Sequence, residues 1–404
     1  MKAKNLREMY NVFDPQEPLK GKELKEFYVE RESPIEDIKN AILDSKEPTK
    51  FLFAGHRGSG KSTELNKLTQ EIKEDVLVVN FSIKDNLNLF DLDFSDILLT
   101  IGAEIYKNVT DYVNLDERLA KDLYDWTSKI TKIKADDVVK EKGIGIGLKA
   151  VLIKLGAEMR AQATTREEVR REIKPRLSDL IEKINSIIFN AEEKLNKKIL
   201  VIIDDLDKLD LKTAEDLYYG YGSVLIQPEC KIIYTIPQAL LFTTKIMQIT
   251  TTYFGEPYIL PNIKIKEKNG ELNKSECEVM KNIVLKRIEG NLIEDYALDL
   301  AIKCSGGLVR HFIRIIRRAS NLAYTKGKVK IEKEVIEDVV AEIRNEYKRI
   351  LEKDHYKLLK EVHKTKEKVD GENFRELLHA IAILEYSNRE NWFDVHQIIL
   401  PLLK

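Results

Sequence analysis

Short apolar runs alternate along the first two thirds of this chain with stretches in which apolar residues recur every three or four positions. The runs at 51–54, 76–81, 199–203 and 230–234, and a further segment at 257–265, have strand length and end in charged or turn residues. Runs that are apolar on both sides belong in a parallel sheet covered by helices on both faces. The helical periodicity predicts helices over 32–43, 61–74, 94–113, 116–131 and 175–195, with Ser33 and Pro34 opening the first. After position 270 only helical patterns remain, at 275–288, 295–304, 307–325 and 332–352. The last part of the chain adds helices and an aromatic hairpin signal from Ile383 to Val395.

These changes of pattern divide the chain. Residues 1–25, polar and carrying Pro15 and Pro18, read as a loosely held lead-in. An α/β core is expected over 26–268, interrupted by a helical insertion at about 114–175. An all-helical lid follows over 269–348, and a last module over 349–404. Within the insertion, Gly143, Gly145 and Gly147 miss the dinucleotide-binding spacing and follow no strand. They read as a joint between inserted helices, with a partner-touching insertion as the alternative.

Composition adds mostly exclusions. The 404 residues suit two or three domains, and 43% hydrophobic with 33% charged residues is a soluble, globular balance. The 67 basic residues against 68 acidic ones give no global attraction to nucleic acid or membrane. Cys230, Cys277 and Cys304 are widely spaced, which argues against a disulfide framework or zinc ribbon and for a reducing compartment. The start lacks the apolar run of a signal peptide, and no stretch approaches the ~20 apolar residues of a membrane span. A cytoplasmic location is expected.

The chemistry concentrates in two places. Gly55, His56, Arg57, Gly58, Ser59, Gly60, Lys61 and Ser62 spell a phosphate-binding loop that leaves a strand and opens a helix, followed by Thr63. Glycines let backbone amides turn inward onto a β-phosphate, and the helix N-terminus adds its partial positive charge. Lys61 is expected to reach the β- and γ-phosphates and Ser62 to give its hydroxyl to Mg2+. Arg57 either neutralises phosphate charge or faces water. His56 reads as a loop filler rather than a catalyst. The second place is the apolar run at 199–203, which ends in Asp204, Asp205 and Asp207. Its carboxyl end projects where ligands bind in such sheets, so Asp204 is expected to hold magnesium, mostly through water.

With both motifs present, the chain resembles the AAA+ and STAND branches of P-loop ATPases, and most of all those shaped like origin-recognition initiators. The resemblance covers most of residues 25–404 but not 114–175. It implies a P-loop NTPase fold with a central parallel sheet of order 5-1-4-3-2, a helical lid and a C-terminal winged helix. It also implies that Tyr28 and Val29 flank adenine and that Thr235, ending the run from Lys231, watches the γ-phosphate. Arg310, after Ser305, Gly306 and Gly307, would reach the γ-phosphate from the lid. Asp205 stands where the family usually carries a water-orienting glutamate, one methylene longer, and Asp207 is the reserve candidate. One departure matters: no arginine occurs between Arg176 and Arg287, so the usual finger region offers only Lys245. An arginine finger is worth ~10³–10⁵ in rate, so weak intrinsic hydrolysis is expected.

Local charge bears on partners. Residues 281–330 hold 11 basic and 4 acidic residues, and Arg310, Arg314, Arg317 and Arg318 share one helical stripe. Beyond Arg310, the stripe suits nucleic-acid phosphates, a neighbouring subunit or water. The tail from Arg349 holds 10 basic and 10 acidic residues, without the electrostatic footprint of a DNA binder. Trp392 and Phe393 are expected to pack the wing onto the core. The reading that results is an ATP- and Mg2+-binding, ATP-hydrolysing switch. It would act through a homo-oligomer or a partner protein, without a membrane. The alternative is a DNA-binding initiator or loader, which the neutral tail disfavours.

Overall fold

The computed structural model describes residues 2–131, 144–387 and 390–404. Five parallel strands form the central sheet: β1 Lys50–Ala54, β2 Leu77–Ser82, β3 Ile199–Asp204, β4 Lys231–Thr235 and the short β5 Tyr258–Ile259. Their spatial order is β2-β3-β4-β1-β5, the expected 5-1-4-3-2 read from the other edge. Each side of the sheet buries alternate residues, as the two-residue period of a strand requires. Phe51, Phe53, Leu200, Ile202 and Ile233 meet Ile35, Ile38, Leu65 and Leu68 on one face. Val79, Phe81, Val201, Ile203, Ile232 and Tyr234 meet a larger helical layer on the other.

That larger layer contains the insertion. Helices Phe94–Val109, Glu117–Thr131, Ile144–Ala161 and Ala163–Ile173 lead into Leu177–Leu195. Leu148, Val151, Leu152, Leu155 and Met159 are buried in the same core as the sheet, so the apolar stretch after Gly147 is packing surface. Arg166 and Arg170 pair with Asp91, and Arg170 also with Asp96, tying the insertion to the segment after β2. The expected joint falls partly outside the described residues: Gly143 lies there, whereas Gly145 and Gly147 belong to the Ile144–Ala161 helix. No helix among the described residues is long and apolar enough to cross a membrane.

Helices Lys274–Leu285, Asp295–Ser305, Val309–Thr325 and Lys333–Ile350 build a third core. Two further helices, Lys353–Thr365 and Glu372–His379, and an antiparallel hairpin of β6 Ile383–Ser387 and β7 Asn391–Val395 complete the chain. Phe393 joins the third core, and Trp392 stacks on Tyr386 at 4.5 Å.

The lead-in is not loose. Leu6, Met9 and Phe13 are buried in the lid core, and Ala3 exchanges backbone hydrogen bonds with Arg287 and Glu289. Further on, the Leu19 N–H donates to Thr63 Oγ1 at 3.3 Å. Residues 2–25 therefore form a strap from the lid across to the phosphate-loop helix. The apolar spacing 6, 9, 13 is helical, and it finds its burial on the lid rather than locally.

Candidate nucleotide site

Gly55, Gly58 and Gly60 all adopt positive φ between β1 and the Lys61–Ile72 helix, which makes the loop a curled cradle. At Gly58 the requirement is also spatial. A Cβ there would lie 2.6 Å from Arg310 Cβ, because the lid helix lands on the loop and the Arg310 N–H donates to the Gly58 carbonyl at 2.9 Å. Arg310 lines the cleft over the loop together with Gly60, Lys61, Ser62, Thr63, Asp205 and Asp207.

Lys61 is 4% exposed and fully engaged. Its Nζ donates to the carbonyls of Gly55 at 2.7 Å and His56 at 3.1 Å, and lies 2.8 Å from Asp207 Oδ2. The ammonium that the sequence assigns to phosphate is thus held by a carboxylate of the same chain. Asp207, the reserve residue of the sequence reading, is Lys61's ion-pair partner.

Asp204 ends β3 with the Ser62 hydroxyl near enough to favour its charged form, so the two expected magnesium ligands lie together. Burial, then the nearby Asp207 and Asp205 charges, push the Asp204 carboxyl up to about 6, against the opposing pull of Ser62. The three aspartates bring carboxylate oxygens within 4.8 Å of one another. The crowding that raises Asp204 is what a divalent cation relieves, and oxygen donors are its preferred set. Ser59 Oγ, in the loop, is buried without a hydrogen-bond partner. The residues present therefore fit a phosphate chain with its metal ion.

Asp205 is differently placed. It sits at φ 71°, accepts from Ser82 Oγ at 2.6 Å, and pairs with Lys84 at 3.2 Å and with Lys208. Burial would raise its carboxyl, but the Lys208 and Ser82 hydrogen bonds and the lysine charges outweigh that and hold it below the ordinary value. Both of its oxygens are committed, while it still borders the cleft. Thr235 stands one step back. Its Oγ1 accepts from the Leu206 N–H at 3.0 Å and donates to the Ile203 carbonyl at 3.2 Å, bracing the turn that carries the aspartates.

On the far side of the loop, Tyr28 and Val29 line a cleft shared with Arg31, Ser59, Gly60, Thr63 and Glu64. The Tyr28 hydroxyl donates to both Glu64 oxygens at 3.0 and 3.1 Å. Arg31 is the brace that the sequence did not reveal: its Nη1 donates to the Ser59 carbonyl at 2.6 Å and its Nη2 to that of Pro261. A lone arginine among charged neighbours gives no signal of that kind. Lys208 was missed too, although its place directly after Asp207 is a usable hint. Arg57 is half-buried, lies outside the cleft lining, and makes no side-chain hydrogen bond or ion pair among the described residues.

His56 is a structural peg. It is 2% exposed, its Nε2 accepts from the Glu385 N–H of β6 at 2.8 Å, and burial, then the Lys61 charge, lowers it to about 3. It is therefore neutral, with its proton on Nδ1. The basic lid stripe is also spent within the chain. Arg314 and Arg318 pair with Glu346, and Arg317 pairs with Asp14 of the strap at 2.7 Å while lying over Tyr10.

Among known proteins, residues 31–225 match the KAP family P-loop domain. No curated protein sequence matches the chain. Its fold is similar to the Aeropyrum pernix ORC1 protein in complex with DNA, at 14% identity and TM-score 0.46, covering 98% of this chain and 95% of that one. Cdc6p from Pyrobaculum aerophilum is similar at 13% identity and TM-score 0.41, covering 97% of each chain. The Thermotoga maritima RuvB Holliday junction branch migration motor is similar at 14% identity and TM-score 0.38, covering 94% and 95%. The matched sequence and the parallel sheet that carries its phosphate loop give the chain a P-loop NTPase fold, similar over residues 31–225 to the KAP family P-loop domain.

Proposed function

We propose that the chain is an ATP-driven switch that binds ATP with Mg2+ and hydrolyses it slowly. The observation that carries this is the junction at Gly58, where the first turn of the lid helix is bonded to the phosphate loop and puts Arg310 into the phosphate cleft. A γ-phosphate arriving there would meet Lys61 and Arg310, one from the core and one from the lid. ATP and ADP would then bias the lid differently, as any such switch requires. Ser62 and Asp204 would hold the magnesium ion, which would neutralise phosphate charge and orient the phosphates. Asp205 would orient the attacking water, and Tyr28 and Val29 would flank the base.

The winged-helix reading of the C-terminal module rests on its two helices and hairpin, and β6 is pegged to the phosphate loop through His56. That contact supports a docking or autoinhibitory role. The alternative, a DNA-binding loader, loses part of its electrostatic support, because Glu346 and Asp14 pair with Arg314, Arg317 and Arg318 and offset two of their three charges.

The test is ATP turnover by the purified chain, alone and with duplex DNA, beside Lys61→Ala and Asp205→Asn. Slow turnover indifferent to DNA and lost in both variants supports the switch. Strong stimulation by DNA favours the loader. Normal turnover in Asp205→Asn removes Asp205 from its role.

A further inference from the structure

A second cleft opens where three parts of the chain meet: the 265–272 turn after β5, the end of the Asp295–Ser305 helix, and the C-terminal module. It encloses about 310 Å³, against about 70 Å³ in the cleft over the phosphate loop. Its lining carries Lys266, Lys268, Lys303 and Lys366 with His363, against the two carboxylates of Glu267 and Asp394. Glu267 already serves Lys264 at 3.0 Å and Asn273 at 3.2 Å.

That leaves Asp394, which is 1% exposed and oversubscribed. Its Oδ1 takes the Val395 N–H at 2.8 Å and Lys366 Nζ at 2.8 Å and lies 2.7 Å from His363 Nδ1, while Oδ2 takes Lys266. His363 Nδ1 is also 3.0 Å from Lys366 Nζ. No single tautomer suits both neighbours: a protonated Nδ1 faces an ammonium, and a bare one faces a carboxylate. Lys268 and Lys303 make no side-chain ion pair or hydrogen bond among the described residues. The cleft thus holds more donors and more positive charge than its acceptors can satisfy. Lys266 shows the same strain, since burial, with help from Lys366 and Lys303, keeps its ammonium below the ordinary value despite Asp394.

We propose that this cleft is a second anion site, which takes a phosphoryl group carried on a small molecule. Phosphoryl oxygens would accept from Lys303, Lys268 and Lys366, and drawing Lys366 outward would free His363 to donate to Asp394. A concave, three-walled cleft suits a compact ligand. Because its walls belong to the core, the lid and the C-terminal module, an occupant would pin those parts together. The site does not depend on the reading of the phosphate loop.

The test is calorimetric titration of inorganic pyrophosphate into the full chain bearing Lys61→Ala, which weakens binding at the phosphate loop. Saturable binding is expected, at least tenfold weaker when Lys303→Glu or Lys366→Met is added, and tighter when Asp394→Asn is added. Lys303 is exposed and unpaired, so its variant keeps the test valid if Lys366→Met fails to fold. No saturable binding, or binding that Lys303→Glu leaves unchanged, overturns the proposal. So does Lys303-dependent binding of duplex DNA without pyrophosphate binding, which would make the cleft a nucleic-acid contact instead.

Discussion

Asp207→Asn separates a self-occupied phosphate loop from one simply waiting for ligand. Opposite charges 2.8 Å apart attract by about 6 kcal/mol at an effective dielectric constant of ~20, before desolvation is subtracted. Both side chains are nearly inaccessible, at 4% and 6%, so desolvation removes most of that gain. Taking one partner from such a pair costs about 3–5 kcal/mol. The carbonyls of Gly55 and His56 remain on Lys61 and should keep the loss at the lower end. Nucleotide binding is expected to move the other way. In the native chain, phosphate must displace the carboxylate from Lys61 and then tolerate it nearby; in the variant it meets neither obstacle. We expect affinity for a non-hydrolysable ATP analogue to rise about 10–100-fold, or about 1.4–2.7 kcal/mol. Calorimetric titration with Mg2+ reads the affinity. Thermal unfolding should show a lower melting temperature without nucleotide and a larger gain on saturation. Unchanged or weaker affinity in a folded variant would refute the reasoning and make Asp207 a ligand to the bound complex rather than a competitor of it.

Three further outcomes follow from the same contacts. Asp204 titrates near 6 in the fold against an ordinary 3.8, so the folded chain binds a proton more tightly than the unfolded one. Its contribution therefore favours the fold at low pH and is lost as pH rises from about 4 through 6, whereas magnesium-dependent nucleotide binding should grow over that range. Asp204→Asn should abolish both trends in pH-dependent melting and titration. Thr235→Val leaves the Leu206 N–H without its acceptor inside the core and should cost about 1–3 kcal/mol in urea unfolding, with Thr235→Ser restoring most of it. Gly307→Ala would put a Cβ 1.8 Å from the Ile263 carbonyl oxygen at φ 82°. The backbone conformation alone costs about 1–2 kcal/mol, so a lower melting temperature and faster proteolysis of the lid are expected.

Much of the core was legible because its signals are local. Five apolar runs between helical stretches admit few arrangements, and a glycine loop between strand and helix has one familiar use. What escaped the sequence depends on pairs far apart in the chain. His56 reads as filler until Glu385, 329 residues away, donates to it. The stripe of Arg314, Arg317 and Arg318 reads as a surface for anions until Glu346 and Asp14 arrive from two other segments. The apolar residues of the lead-in were visible, but the lid that buries them begins some 250 positions later. Asp207 illustrates the limit within a motif: its type and spacing were read, yet nothing in a sequence tells which of three neighbouring carboxylates will turn towards the lysine.

These distant contacts share a destination. The strap reaches the phosphate loop through Leu19 and Thr63, the lid through Arg310 and Gly58, and the C-terminal hairpin through Glu385 and His56. Each bond involves the loop or the first turn of its helix, and two of the three use loop atoms outside the inward-facing amides. A displacement of the loop by a fraction of an ångström would therefore be felt in three separate parts of the chain at once. Such coupling is economical only if the loop changes state, and the Lys61–Asp207 pair supplies a defined alternative to phosphate for one of those states. On the switch reading proposed above, slow hydrolysis would fit this arrangement, because a switch that must hold its ATP state gains from turning over rarely.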